Sequence, residues 1–262
     1  MRGVVRTVSM LCLLVLVVPD LFSQGVYWES AITSRATSKP RTDRFNYMPK
    51  MLKTVSEEDG QIMIIRLDRE VMVMVDPAKK EYWQMTFVEM EQFAEGAGAA
   101  MDAQMAEMKK QLAELPEEQR KMAEKMLGGR MGSSAVGKIE VKNTGETRSI
   151  SGFSCTKYLV TLEGAEATAV WATKDVKEFE VMRRDMEELG KRMEAMLPPS
   201  MKGTQGTLSG VDGFPIQTER EDGWKSTVTK IEQRSTPAGE FEIPAGYKKV
   251  SSPMMGGGEV DK

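Results

Sequence analysis

The spacing of apolar residues changes along this chain, and each change predicts a different kind of element. In QIMIIRLDREVMVMVDPAKKEYWQMTF, residues 61–87, the period is two. Met63, Ile65 and Leu67 share one strand face. Val71, Val73 and Val75 share a face of the next strand, with Met72 and Met74 opposite. Asp68-Arg69-Glu70 and Asp76-Pro77-Ala78-Lys79 read as turns, so successive strands here are antiparallel neighbours. A strand apolar on both faces needs a cover on each. Upstream, YWESAITS (27–34) reads as a short strand followed by a polar stretch with Pro40. RFNYMPKMLKTVSEEDG (44–60) has no clear period and ends in a turn.

From Val88 to Leu127 the period lengthens. Met101, Met105, Met108, Leu112, Leu115, Met122 and Met126 recur at gaps of three and four, with Lys and Glu on the other faces. Pro116 divides this stretch into two helices, and Gly128-Gly129 ends it. Strand pattern returns at KIEVKN, with a turn at Thr144-Gly145-Glu146, and continues through FSCTKYLVTLEG and ATAVWATKD. A helix follows from Val176 to Leu197, with Phe179, Met182, Met186, Leu189, Met193 and Met196 on one stripe, and Pro198-Pro199 stops it. FPIQTERE, WKSTVTKIEQRS and FEIPAGYKKV read as closing strands, and 251–262 as a flexible tail.

Runs of strands separated by helices, rather than one-for-one alternation, argue against a parallel sheet. The pattern predicts an α+β fold in which one strongly curved antiparallel sheet is covered by amphipathic helices. The expected organisation is a single domain over 24–250, with a Met-rich helical insertion at about 88–131.

Composition then narrows the chemistry. The 262 residues include no histidine, which removes the commonest general base and the commonest metal ligand. Cys155 lies in FSCTKYLVTL, with Phe153 and Leu159 on its face and Tyr158, Val160 and Leu162 on the other. Only Lys157 is near enough in sequence to activate a thiol, so Cys155 is expected to pack as a small apolar residue. An intermolecular disulfide stays open, because removal of a leader carrying Cys12 would leave Cys155 as an odd cysteine in an exported protein. Asp68 and Asp76 sit where turns use Asp, and neither a calcium loop nor a phosphate-binding loop is present. The expectation is a protein that is not an enzyme, with no metal and no cofactor.

The formal net charge of −3 gives no basic footprint for nucleic acid. Residues 1–23 have the layout of a signal peptide, with Arg2 and Arg6, an apolar run from Val8 to Val18, and Ser23 at the cleavage position. The run is shorter than the roughly 20 residues a membrane span needs, although an uncleaved anchor remains the rival. The expected location is periplasmic or secreted, without a stable membrane span after cleavage.

There are 22 methionines, more than half of them between Met90 and Met201. Flexible, polarizable Met surfaces suit apolar ligands of variable shape. The same stripes also suit a plain helix-on-sheet core or a helix-to-helix seam that binds a partner. Three separated segments add a resemblance: IIRLDREVMVMVDPAKKEYWQM, TGETRSISGFSCTKYLVTLEG with AVWATKD, and GFPIQTE with FEIPAGYKK. In that order, over most of residues 60–250, they resemble the domain-of-unknown-function family DUF4412, itself similar in fold to the LolA-like lipoprotein carriers. The resemblance implies a half-open antiparallel barrel lidded by helices, a hydrophobic ligand such as a lipid or lipoprotein acyl chain, and no catalytic residues. The residues expected to line such an apolar cavity are Met63, Ile65, Leu67, Trp83 and Met85 from strands, with Met105, Met108, Met182 and Met186 from helices. The alternative is an interaction module whose Met-rich helices bind a protein partner, without a cavity.

Overall fold

The computed structural model describes residues 24–35, 37–113, 139–162, 167–195 and 210–253. The proposed leader, the second helix expected after Pro116 and residues 254–262 of the tail lie outside them. The first six strands follow one another as a meander: β1 (Gln24–Ser34), β2 (Thr37–Met48), β3 (Met51–Ser56), β4 (Ile62–Arg66), β5 (Val71–Asp76) and β6 (Glu81–Thr86). Helix α1 (Phe87–Ala113) leaves the end of β6. A second meander comprises β7 (Ile139–Ile150), β8 (Phe153–Leu162) and β9 (Thr168–Thr173), then helix α2 (Phe179–Ala195), then β10 (Phe214–Arg220) and β11 (Lys225–Ser235). A short 3₁₀ turn (Ala238–Phe241) and the two-residue β12 (Lys248–Lys249) complete the described elements.

All twelve strands join one sheet in the order β12-β6-β5-β4-β3-β2-β1-β11-β10-β9-β8-β7. Every pairing is antiparallel except β12 on β6. The expected α+β class and antiparallel sheet are therefore present. The tight turns explain the meanders. At Ser151-Gly152 both residues have positive φ, 50° and 85°, as a two-residue hairpin loop that matches strand twist requires.

Several expectations are corrected. The stretch with Pro40 and the patternless 44–60 form β2 and β3. Pro40 is tolerated because it lies beside the register shift between Ile32 and Ser34, before β2 begins its ladder with β3 at Asp43. Thr144-Gly145-Glu146 is a bulge inside β7 rather than a turn between strands, with Gly145 at φ 76° supplying the local kink. FEIPAGYKKV begins on the last residue of a 3₁₀ turn and contains a strand of two residues, not a full closing strand. Helix α1 leaves β6 near one edge of the sheet, and the described chain resumes at β7 on the opposite edge.

The cover demanded by β5 comes from two sources. Ile64, Val73 and Val75 are buried beneath Phe241, with Ile243 and Tyr247 packed against them. On the other face, Ile65, Leu67 and Met85 are buried with Phe87 and Met90 of α1, and Leu189 and Met193 of α2 pack there. A third cluster joins Val26, Tyr47, Cys155, Trp171 and Phe214 to Phe179 and Met182 of α2. Leu52 packs against both clusters beneath the helices. Just before β10, Val211 is buried separately on Tyr158, Val160 and Val170.

Candidate functional site: an apolar trough beside a clasped helix

The helix-facing side of β1–β6 is organised in rows that follow the cross-strand register. Nearest α2, Val26, Tyr47, Leu52, Ile65, Met72 and Met85 are successive partners. Two residues further along each strand, on the same face, the partners are Trp28, Phe45, Thr54, Met63, Met74 and Trp83. All six of these are half-buried rather than buried. The Trp28 and Phe45 rings stack at 4.7 Å with an interplanar angle of 1°, and Trp28 meets Phe214 edge-on at 5.6 Å. The next positions are polar: Ser30, Asp43 and Ser56 at one end, Asp76 and Glu81 at the other. An apolar trough therefore runs across six strands, roughly 24 Å at the usual strand spacing, between helix α2 and a polar rim.

One cleft adjoins it, and a second lies apart. One of about 330 Å³ touches the trough through Met74 and Trp83 and is otherwise lined by Asp76, Lys79, Val250 and neighbours. One of about 640 Å³ lies at the far end of β1 and β2, between Ile32, Arg41, Glu58 and Trp224.

Helix α2 is held over the sheet by a polar clasp. The buried Tyr47 hydroxyl donates to Asp185 Oδ2 at 2.7 Å, and the Lys50 backbone N–H donates to the same oxygen at 2.6 Å. The Lys50 ammonium lies 3.4 Å from Asp185 Oδ1 and pairs with Glu188. Arg192 reaches Glu70 at 2.7 Å and sits over the Phe87 ring. Lys50 and Glu70 adopt φ of 67° and 51° in their turns, which aims them at one helix. Burial, with the Asp185 carboxylate second, pushes the Tyr47 phenol far above its ordinary range, so it remains a donor. The Glu188 carboxylate raises Lys50, which stays charged.

Of the residues expected to line a cavity, Ile65, Leu67 and Met85 are buried in side-chain packing, while Met63 and Trp83 stand in the half-open row. Met182 and Met186 belong to the neighbouring cluster around Tyr47 and Phe214, not to the one around Met85. Met108 is half-buried on α1, and the Met105 side chain lies outside the described residues. Sequence reasoning missed Trp28, Phe45 and the clasp. The period-two positions Val26, Trp28 and Ser30 were available, but Phe45 lies in a strand with no readable period.

Cys155 is free and fully buried, and burial pushes its thiol upward. Asp68 is held by Arg66 through two contacts of 2.8 and 2.7 Å, and Asp76 accepts the Lys79 backbone N–H at 3.1 Å. Among the described residues, no group of three or more Cys, Asp or Glu is placed to hold a metal, and no helix is long and apolar enough to cross a membrane.

Such an architecture defines an α+β protein with one large antiparallel sheet and an apolar helix-facing surface. The chain belongs to the family Domain of unknown function (DUF4412), whose model matches residues 88–247. That span begins in α1, so the β4–β6 segment that carried part of the resemblance lies outside it. No curated protein matches the sequence. Among solved structures, an uncharacterized conserved protein from Thermus thermophilus is similar at 9% identity, with 88% of this chain and 92% of that one covered and a TM-score of 0.44. PNGF-II shows 11% identity, 88% and 31% coverage and a TM-score of 0.41, so this chain spans under a third of it. MucB in the Pseudomonas aeruginosa MucA/MucB complex shows 9% identity, 88% and 59% coverage and a TM-score of 0.38.

Proposed function

We propose that this protein is an exported, non-catalytic binder of a hydrophobic ligand, a lipid or an acyl chain, held along the trough beneath a helical lid. In this proposal the sheet acts as a curved half-barrel, with α2 and the start of α1 as its cover. The observation that carries it is the row Trp28, Phe45, Thr54, Met63, Met74 and Trp83, apolar at five of six positions yet half-buried. A linear chain laid along that row gains about 0.8 kcal/mol per methylene removed from water, and the methionines repack at little cost to fit it.

The test is native mass spectrometry, with organic extraction, on residues 24–262 purified from a periplasm without detergent. A reproducible adduct of lipid mass, lost in a Met63→Gln/Trp83→Gln double variant that keeps its circular dichroism spectrum, is the expected result. An apo mass that takes up neither added fatty acid nor phospholipid sinks the proposal. Attention then moves to a protein partner on α1, where Val88 and Phe93 are exposed.

A further inference from the structure

Beyond the trough, the helix-facing side carries a group of donors short of an acceptor. Trp171 is 5% exposed, and its indole N–H has no hydrogen-bond partner. A buried donor left unpaired costs stability, so a native structure that keeps one invites a search for its missing partner. The neighbouring polar groups cannot serve. The Arg148 guanidinium lies 4.0 Å above the Trp171 ring and the Lys157 ammonium 5.6 Å from it, and both are themselves donors. Register places these residues together: Lys157 pairs with Trp171, Trp171 with Gln217, and Arg148 with Cys155.

The acceptors nearby are already engaged. Gln217 is buried and accepts from Arg148 through Oε1, while its amide donates to Glu219 at 2.9 Å. Glu219 is bound by Lys225 at 2.9 Å and stands 3.8 Å from Arg148. Glu146 is taken by Lys157 at 3.0 Å on the exposed side. Arg148 therefore has one hydrogen bond to Gln217 for its five N–H donors, and the indole has none. Each cation already faces a carboxylate, Lys157 at Glu146 and the exposed Arg148 at Glu219, so what remains is an acceptor that the buried indole N–H and the Arg148 donors taken by no protein group could share. Trp171 and Trp28, the first residue of the trough, pack in one apolar cluster.

Resting on the trough function proposed above, we propose that Arg148 and the Trp171 indole N–H receive the anionic headgroup, carboxylate or phosphate, of the ligand whose chain lies along the trough. The ligand is thus an anionic amphiphile rather than a neutral one. Charge-assisted hydrogen bonds formed in a partly buried place are the stronger kind, and the headgroup sets orientation while the chain supplies apolar burial.

The experiment compares three ligands of equal chain length on residues 24–262: a fatty alcohol, a fatty acid and a lysophosphatidic acid, each titrated by calorimetry. At least about tenfold tighter binding of the acids than of the alcohol is expected. Arg148→Gln should erase most of that preference. Trp171→Phe keeps the ring and removes the N–H, so the ligand-free melting temperature should hold or rise while the preference for acid falls. Equal binding of acid and alcohol, or a preference that survives both variants, overturns the headgroup site and leaves the trough standing. Binding of neither ligand removes both. A preference confined to the fatty acid or to the lysophosphatidic acid identifies a carboxylate or a phosphate as the partner.

Discussion

At Cys155 one side chain decides between chemistry and packing. The thiol is 0% exposed, lies among Trp171, Phe214 and Ile216, and contacts the Phe153 carbonyl at 3.5 Å. Thiol reagents should therefore modify it only as fast as the protein unfolds, and Cys155→Ser should cost roughly 1–3 kcal/mol in urea titration by burying a hydroxyl among apolar groups. Rapid labelling of the native protein would contradict that. A second residue-scale prediction concerns acid. Arg66, buried on the Val73 face, holds Asp68 and, at 2.7 Å, Glu242. Arg66 first, and for Glu242 also Arg69, hold both carboxyls below their ordinary pKa. A depressed folded-state pKa means the contribution is complete above the ordinary carboxylate range, near pH 4, and disappears as pH falls through the lower folded values. Glu242→Gln should lower the urea midpoint at pH 7, and the gap to wild type should narrow as pH falls through the acid range. An unchanged gap would remove Glu242 from the account. At this scale the sequence was legible where the reason was local. Cys155 packs and Asp68 and Asp76 serve turns, as their neighbours imply. The Arg66–Glu242 pair was hidden because its partners are 176 residues apart.

Among the elements, α2 is the one whose placement rests on a few identifiable bonds. Asp185 satisfies the Tyr47 hydroxyl and the Lys50 N–H together, both otherwise short of an acceptor beneath the helix. Asp185→Ala should cost about 2–4 kcal/mol by orphaning two donors, the buried Tyr47 hydroxyl among them. Hydrogen exchange should rise in 179–195 while β7 and β8 keep their protection. Exchange that rises evenly across the sheet would show a general loss of stability instead of a loosened cover. The stripe Met182, Met186, Leu189 and Met193 made this helix readable, since its spacing and its buried face coincide. Strands β2 and β3 were unreadable for the converse reason. In β2, Asp43, Phe45 and Tyr47 on the helix side alternate with Arg44, Asn46 and Met48 on the other, so both faces mix polar and apolar groups. The candidate trough was legible to the same degree: Met63 and Trp83 lie in clear strands, whereas Trp28 and Phe45 face each other across a pairing no local pattern announces.

Across the whole molecule the sheet is two meanders joined at a single seam, where β1 lies between β2 and β11. Gln24 faces Ser235 and Thr33 faces Lys225, so the first described strand finds its second neighbour only near the end of the chain. The antiparallel expectation needed only short-range turns, but the order of strands depended on this pairing and on the crossing from β6 to β7, neither of which leaves a periodic trace. The seam also constrains how the protein can be made. Until Lys225 and the residues after it have emerged from the ribosome, β1 has an open flank, and closing a loop of that length is slow compared with forming hairpins. A chain interrupted before its last strands therefore presents β1 as an unpaired edge, the kind of template to which a foreign strand can add.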